Sequence, residues 1–252
     1  TTPALTSLIA TADGSLIGAG PDVVVRIGAD NKVSPTTQTG VTDPTVVART
    51  ADGRVLVGTV SGSVVVFGKD LSRERTISGF VRVDGLTVSP AGVGFDNEQV
   101  VVLDRAQSSV TPINIDDGSK GAALRAGNGA TTSTVDSYGR VLVANTRDGE
   151  TLGFFGKPIV NRFRDLVSGS PYAVAWDQKR HLLWVSATAV NQLIGFDLAD
   201  GEPAERHRVA TVVQPDSLAV DDSTGALYVL SARGGGVQII DPTTTLPSSG
   251  TP

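Results

Sequence analysis

The sequence predicts an all-β fold, a six-bladed β-propeller whose four-stranded antiparallel blades surround a central channel. Three markers that recur in phase predict it. The first is a polar turn closed by glycine ahead of a short apolar run, as in "ADGRVLVGTV" from Ala51. It returns as "ADGSLIGAG" at Ala12, "SPAGVGF" at Ser89, "DSYGRVLVAN" at Asp136, "DQKRHLLWVSA" at Asp177 and "DDSTGALYVLSA" at Asp221. The turn residues Gly14, Gly53, Gly92, Gly139, His181 and Gly225 are spaced 39, 39, 47, 42 and 44 apart, a period of about 42. The second marker is an apolar strand ending in a large hydrophobe and then Gly or Asp: "VVVRIG" to Gly28, "SVVVFG" to Gly68, "QVVVLD" to Asp104, "TLGFFG" to Gly156, "QLIGFD" to Asp197 and "VQIID" to Asp241. The third precedes the turn and is small and apolar, as in "TVVART" (45–50), "PYAVAWD" (171–177) and "PDSLAVD" (215–221).

Each unit therefore reads as a first strand, a tight turn, a second strand, a loop, a third strand and a more polar stretch able to supply a fourth. No segment of helical period interrupts them. The expected organisation is one domain over 1–252, with blades at about 5–42, 43–82, 83–129, 130–170, 171–214 and 215–250. Two stacked β-sandwiches would not place three markers in phase. Only Thr1 to Ala4 precede the first strand, so residues 242–250 are expected to complete the sixth blade.

Composition agrees. Gly reaches 29 residues and aromatics only 5%, with Val and Thr recurring, a balance that suits short strands and tight turns. A net charge of −5 gives no electrostatic footprint for nucleic acid. The short basic strings "RERT" (73–76), "RFRD" (162–165) and "ERHR" (205–208) read as solvated edge-strand positions. With no cysteine, disulfides, thiolate metal sites and a Cys nucleophile are excluded. No apolar stretch is long enough to span a membrane. The absence of Met, position 1 included, and the Thr/Ser/Pro/Gly tail at 242–252 read as a processed chain or a piece of a longer one, with a signal or lipid anchor upstream.

The strings "PDSLAVDDSTGALYVLSARGGGVQIID" (215–241) and "PYAVAWDQKRHLLWVSATAVNQLIGFD" (171–197) resemble the repeats of the propeller superfamily that includes NHL-repeat, YVTN-type and SMP-30/gluconolactonase-like proteins. The matching residues are strand and turn positions, so the resemblance carries a fold more than an activity. Its lactonase branch implies a divalent cation, calcium or zinc, held by one Glu, two Asn and one Asp. "PDS" (215–217) is similar to that branch's Pro-Asp-Gly stretch, which makes Asp216 the candidate ligand. "RVDGLTVSPAG" (82–92) is similar to its Asn-Asp-Gly stretch, with Val83 where the Asn would stand and Asp84 as the nearby acid. The first-blade Glu and the remaining Asn have no counterpart in "LTSLIATADG" (5–14) and "SGSPYAVAW" (168–176).

Other chemistry is sparse. His181 and His207 are the only histidines; the first reads as a turn residue and the second as a solvent-facing residue of an outer strand. The pairs at Asp116–Asp117 and Asp221–Asp222 read as turn chemistry. "RGGGV" (233–237) lacks the following helix that a phosphate loop needs and reads as a tight loop carrying Arg233. "GSKGAALRAGNGA" (118–130), with Asn128, reads as a flexible insertion in the longest repeat. Trp176 and Trp184 are packing residues by default, and platforms for a sugar or partner if exposed. Trp176, Trp184, Arg233 and Asn128 are thus the candidate ligand-binding residues, and no catalytic residue is assigned. The expected function is that of a non-enzymatic extracytoplasmic binding or scaffolding module for a protein or small ligand. The alternatives are a divergent metal-dependent lactonase or hydrolase, or a sensor domain from a larger membrane protein. An actinobacterial lipoprotein or secreted protein is the expected setting.

Overall fold

The structure, a computed structural model, describes residues 4–11, 13–34, 37–95 and 97–241. Its strands form antiparallel sheets taken in chain order, the blades of a six-bladed β-propeller, with no helix among the described residues. The chain forms two compact units, Thr1–Ala123 and Leu124–Pro252.

Blade one holds β1 (Ser7–Ala10), β2 (Leu16–Gly20), β3 (Val23–Ile27) and β4 (Thr37–Gln38). Blade two holds β5 (Pro44–Arg49), β6 (Val55–Thr59), β7 (Ser63–Phe67) and β8 (Arg73–Ser78). Blade three holds β9 (Gly85–Val88), β10 (Val100–Asp104), β11 (Ser109–Ile113) and β12 (Leu124–Arg125). The fourth is β13 (Ala130–Val135), β14 (Val141–Asn145), β15 (Glu150–Phe155) and β16 (Val160–Leu166). The fifth is β17 (Pro171–Asp177), β18 (Leu182–Ala187), β19 (Gln192–Asp197) and β20 (Ala204–Ala210). The sixth shows three strands, β21 (Pro215–Val220), β22 (Leu227–Ser231) and β23 (Val237–Ile240). Its expected fourth strand, at 242–250, lies outside the described residues.

Within each unit the core lies in slabs between successive blades. In β6, Val55 and Val57 face a cluster with Ile17, Val24 and Val47, while Leu56 faces the opposite one with Val100, Val102 and Ile113. In β18, Leu183 and Val185 pack toward Leu142 and Phe163, while Leu182 and Trp184 pack toward Leu227 and Val229. A strand buried on both faces must be apolar at successive positions, which is why "VLVGT" and "LLWVSA" show no polar alternation. The outer strands β8, β16 and β20 carry the Arg-rich strings, as expected of sheet edges.

Hydroxyl clamps join the first strands of neighbouring blades. The Thr6 hydroxyl donates to the Pro44 carbonyl at 3.1 Å, Thr45 to the Val83 carbonyl and Thr132 to the Tyr172 carbonyl, with separations of 38, 38 and 40 residues. The turns also obey the repeat: His181, in the place of the turn glycine, adopts φ 55°, beside φ 82° at Gly139 and 81° at Gly225.

Blade three corrects the sequence reading. "VVVLD" is β10, the second strand, bonded to β9 on one side and β11 on the other, and "SVTPI" is the third. Gly92 at φ 75° and Gly94 at φ 70° turn the chain within 89–99, so no strand forms there and the second marker falls one strand early. The insertion at 118–130 is also less free than expected, because the Asn128 amide donates to Asp148 Oδ2 at 2.9 Å.

One cross-strand row sets how β18, β19 and β20 pack. Trp184 pairs with Gly195, and Gly195 with His207. The indole lies across the glycine and stacks on the imidazole with centroids 5.9 Å apart. A Cβ on Gly195 would stand 2.8 Å from the Trp184 ring. Gly195→Ala is therefore expected to lower stability by about 1–3 kcal/mol through overpacking, read as a lower urea midpoint with an unchanged m-value.

Candidate functional site

A cleft of about 500 Å³ opens in the first unit where the first strands of three blades end. Its wall comes from Ile9 in β1 and Thr11 after it, from Val47 to Ala51 at the end of β5, and from Leu86, Val88 and Pro90 at the end of β9. Strand ends gather here because successive blades repeat the same strand-to-turn geometry. The connections 11–15 and 50–54 are tight, but residues 89–99 make a long excursion that brings Glu98 to the rim.

The tight turns share a chemistry. The Thr11 hydroxyl donates to Asp13 Oδ1 at 2.5 Å, and the Ser15 amide donates to the same oxygen at 3.1 Å. Thr50 and Arg54 treat Asp52 alike, at 2.5 and 3.3 Å. Hydrogen bonds from Thr11, the Ser15 hydroxyl and the Ser15 amide hold Asp13 well below the usual carboxylate range. Burial pushes Asp52 up, but Thr50 and the amide and charge of Arg54 outweigh it and leave a net lowering.

Glu98 is tied to the scaffold. Both of its carboxylate oxygens accept from the Ala51 amide, at 3.0 and 2.9 Å, which docks the long blade-three connection onto the blade-two turn. Arg49 is different. It is exposed at the cleft and has no ion-pair or hydrogen-bond partner among the described residues. The cleft thus combines an apolar wall, a carboxylate fixed by the backbone and an uncommitted guanidinium.

The residues singled out from sequence do not converge here. Trp184 is fully enclosed, its indole donating to Asp177 Oδ2 at 3.1 Å, so its ring offers no platform. Trp176 is half-buried and donates to the Ser137 hydroxyl across the blade junction at 3.0 Å. Asn128 is exposed and held by Asp148 and Arg125. Arg233 is exposed on a loop whose Ser231 hydroxyl accepts from the Arg233 and Gly235 amides, at 3.1 and 3.0 Å.

Asp84 accepts from Arg82 Nε at 2.5 Å and from the Arg105 amide at 3.0 Å, while Asp216 is half-buried in β21 with no hydrogen-bond partner among the described residues. No three His, Cys, Asp or Glu side chains are grouped for a metal among the described residues, and the two acids do not fit the cation that the resemblance implies. His207 departs from the solvent-facing reading: it is half-buried against Trp184, with Nδ1 buried and unpartnered. Arg49, Glu98 and the 89–99 connection were missed in the sequence; the one available signal was the distance from Gly92 to the next apolar run.

Asp177 is the most enclosed acid among the described residues, at 0% exposure. Burial raises its pKa, but the Arg180 amide, the Trp184 indole and the Arg180 guanidinium outweigh burial and bring it below 3.8. Asp221 is lowered to about 2 by the Ser223 and Thr224 hydroxyls and the Ser223 amide. Asp222 moves the other way, raised by burial and then by the charges of Asp177 and Asp221.

No family model matches this sequence, and no curated protein matches it. Solved structures do match in shape. A virginiamycin B lyase from Staphylococcus aureus superposes with a TM-score of 0.69 at 10% identity, over 95% of this chain and 84% of that one. A 6-phosphogluconolactonase-like protein from Bacteroides uniformis reaches 0.74 at 13% identity, over 99% and 86%. A chain of a mitotic checkpoint complex reaches 0.71 at 17% identity, over 94% and 76%. Such identities show the fold alone, and the fold is the one shared by the superfamily that the repeats resemble.

Two outcomes follow from the geometry. Glu98→Ala should free the Ala51 amide at a cost of about 1 kcal/mol, seen as a roughly fivefold faster hydrogen exchange there, with the inner strands unchanged. Asp177 and Asp221 have folded pKa values below their unfolded value of 3.8, so the unfolded chain binds more protons between the two. Their stabilisation is complete above about pH 4 and is lost as pH falls through the folded values, with Asp222 opposing weakly. Asp177→Asn should lower stability at pH 7 by about 3 kcal/mol and flatten the acid limb of a urea-midpoint titration; an unchanged limb contradicts the assignment.

Proposed function

We propose that this chain is a binding module of propeller fold that captures a small ligand, or an apolar side chain of a protein partner, in the cleft of its first unit. The carrying observation is the coincidence of the cleft, its apolar wall and the one first-to-second-strand connection that departs from the repeat. Functional insertions on a repeat scaffold sit in loops, because the strands are committed to packing between blades. About 500 Å³ is also on the scale of small-ligand sites. The role is non-enzymatic: the cleft offers a cation and a backbone-tied carboxylate, with no nucleophile paired to a base among the described residues. An extracytoplasmic setting, secreted or anchored to the cell envelope, belongs to the same proposal and rests on the composition. The lactonase or hydrolase reading has no observation in its favour, since Asp84 is engaged by Arg82 and the Arg105 amide and no three His, Cys, Asp or Glu side chains are grouped for a metal among the described residues.

The test is an amide-shift map recorded with millimolar indole, cyclohexanol and benzyl alcohol. Binding is expected to move the Ala48, Ala51, Leu86 and Val88 amides. Ala91→Trp, at an exposed position of the long connection, should fill the cleft and abolish these shifts without lowering the melting temperature. Shifts that survive the filling, or that map to other blades, overturn the proposal.

A further inference from the structure

The hydrogen-bonding capacity left over in the cleft defines what enters it. The Thr11 and Thr50 hydroxyls are used within their turns, the Ser89 hydroxyl accepts from the Gln99 amide at 2.7 Å, and Glu98 is bound by both oxygens to Ala51. Arg49 alone among the side chains of the wall carries a full charge with no acceptor among the described residues. A guanidinium has five donors and no acceptor, and its planar fork matches a carboxylate. The neighbouring wall supplies no polar partner beyond it: Ile9, Leu86, Val88 and Pro90 are carbon surfaces.

Resting on the reading of this cleft as the binding site, we infer that its ligand is a small amphipathic carboxylate, an apolar body bearing one anionic group that pairs with Arg49. The chemistry is complementary at both ends. An apolar tail removes the wall from water, at about 25 cal/mol for each Å² covered. A carboxylate answers a cation that is otherwise exposed and unpaired. A cationic ligand is disfavoured by the guanidinium of Arg49 at the cleft. A neutral apolar ligand enters the cleft but leaves the guanidinium unanswered.

The experiment compares octanoate, 1-octanol and octyl phosphate by isothermal titration and amide-shift mapping, on the wild-type chain, Arg49→Gln and Arg49→Lys. Arg233→Gln is the control for a distant exposed arginine. Octanoate is expected to bind at least tenfold more tightly than 1-octanol, with shifts at Ala48 and Ala51. Arg49→Gln should remove that advantage while leaving octanol binding and the melting temperature unchanged, and Arg49→Lys should restore part of it. Octyl phosphate binding more tightly than octanoate would replace the carboxylate with a phosphate and overturn the stated class. Equal binding of octanoate and octanol, or an Arg49→Gln variant with wild-type affinity, overturns the assignment to Arg49 while the cleft stands. Absence of shifts at the cleft with all three probes overturns both this inference and the binding-site reading beneath it.

Discussion

The double burial of the second strands β6, β10, β14 and β18 is the constraint on which the rest of the molecule depends. In β6, β10, β14 and β18 every residue is buried, and in β6 and β18 one set of side chains packs toward the preceding blade and the other toward the following one. A blade is therefore not a unit of stability in itself. Its two faces are halves of two different slabs of core, and a full-sized Leu or Val placed in either contributes about 1.5–3 kcal/mol only when the neighbouring blade is present. The hydroxyl clamps at Thr6, Thr45 and Thr132 act at the same junctions, fixing the register between first strands where apolar contact alone would let them slide.

This constraint is also why so much of the fold is legible in the sequence. A strand covered on both sides writes an unbroken apolar run, and a tight turn that needs positive φ writes a glycine, so a period survives even where the residues themselves vary. His181 shows that the backbone requirement, rather than glycine as such, is what repeats: it holds φ 55° where the other turns use glycine. The same regularity explains the error in blade three. A first, second or third strand can each read as a run of Val and Leu, so "VVVLD" was assigned by its ending, whereas its pairing with both β9 and β11 makes it the middle strand.

The sixth blade shows the pattern with the two sides of its second strand unequally buried. In β22, Leu227 and Val229 are buried while Tyr228 and Leu230 are exposed, and Val237 and Ile239 lie exposed on the partnered positions of β23. The primary sequence gives no sign of this asymmetry. "ALYVL" is as apolar as "RVLVG", because hydrophobicity records what a strand can bury and not what covers it.

The cleft was illegible for a related reason. Ile9, Leu86 and Val88 are indistinguishable in the sequence from core residues, since an apolar wall and an apolar core use the same side chains and differ only in whether a neighbour covers them. Arg49 closes "TVVART" as any strand-ending cation would, and only the structure shows that Arg54, five residues on, is matched by Asp52 and Asp116 whereas Arg49 has no such acid among the described residues. The residues that drew attention in the sequence, the tryptophans and the paired aspartates, are the ones the fold consumes: Trp184 fills the slab between blades five and six, and Asp221 orders a turn through Ser223 and Thr224. In a repeat scaffold a distinctive side chain is most often spent on closing a junction. Binding chemistry is then better sought where the spacing breaks, as it does between Ser89 and Gln99, than where the residues are rare.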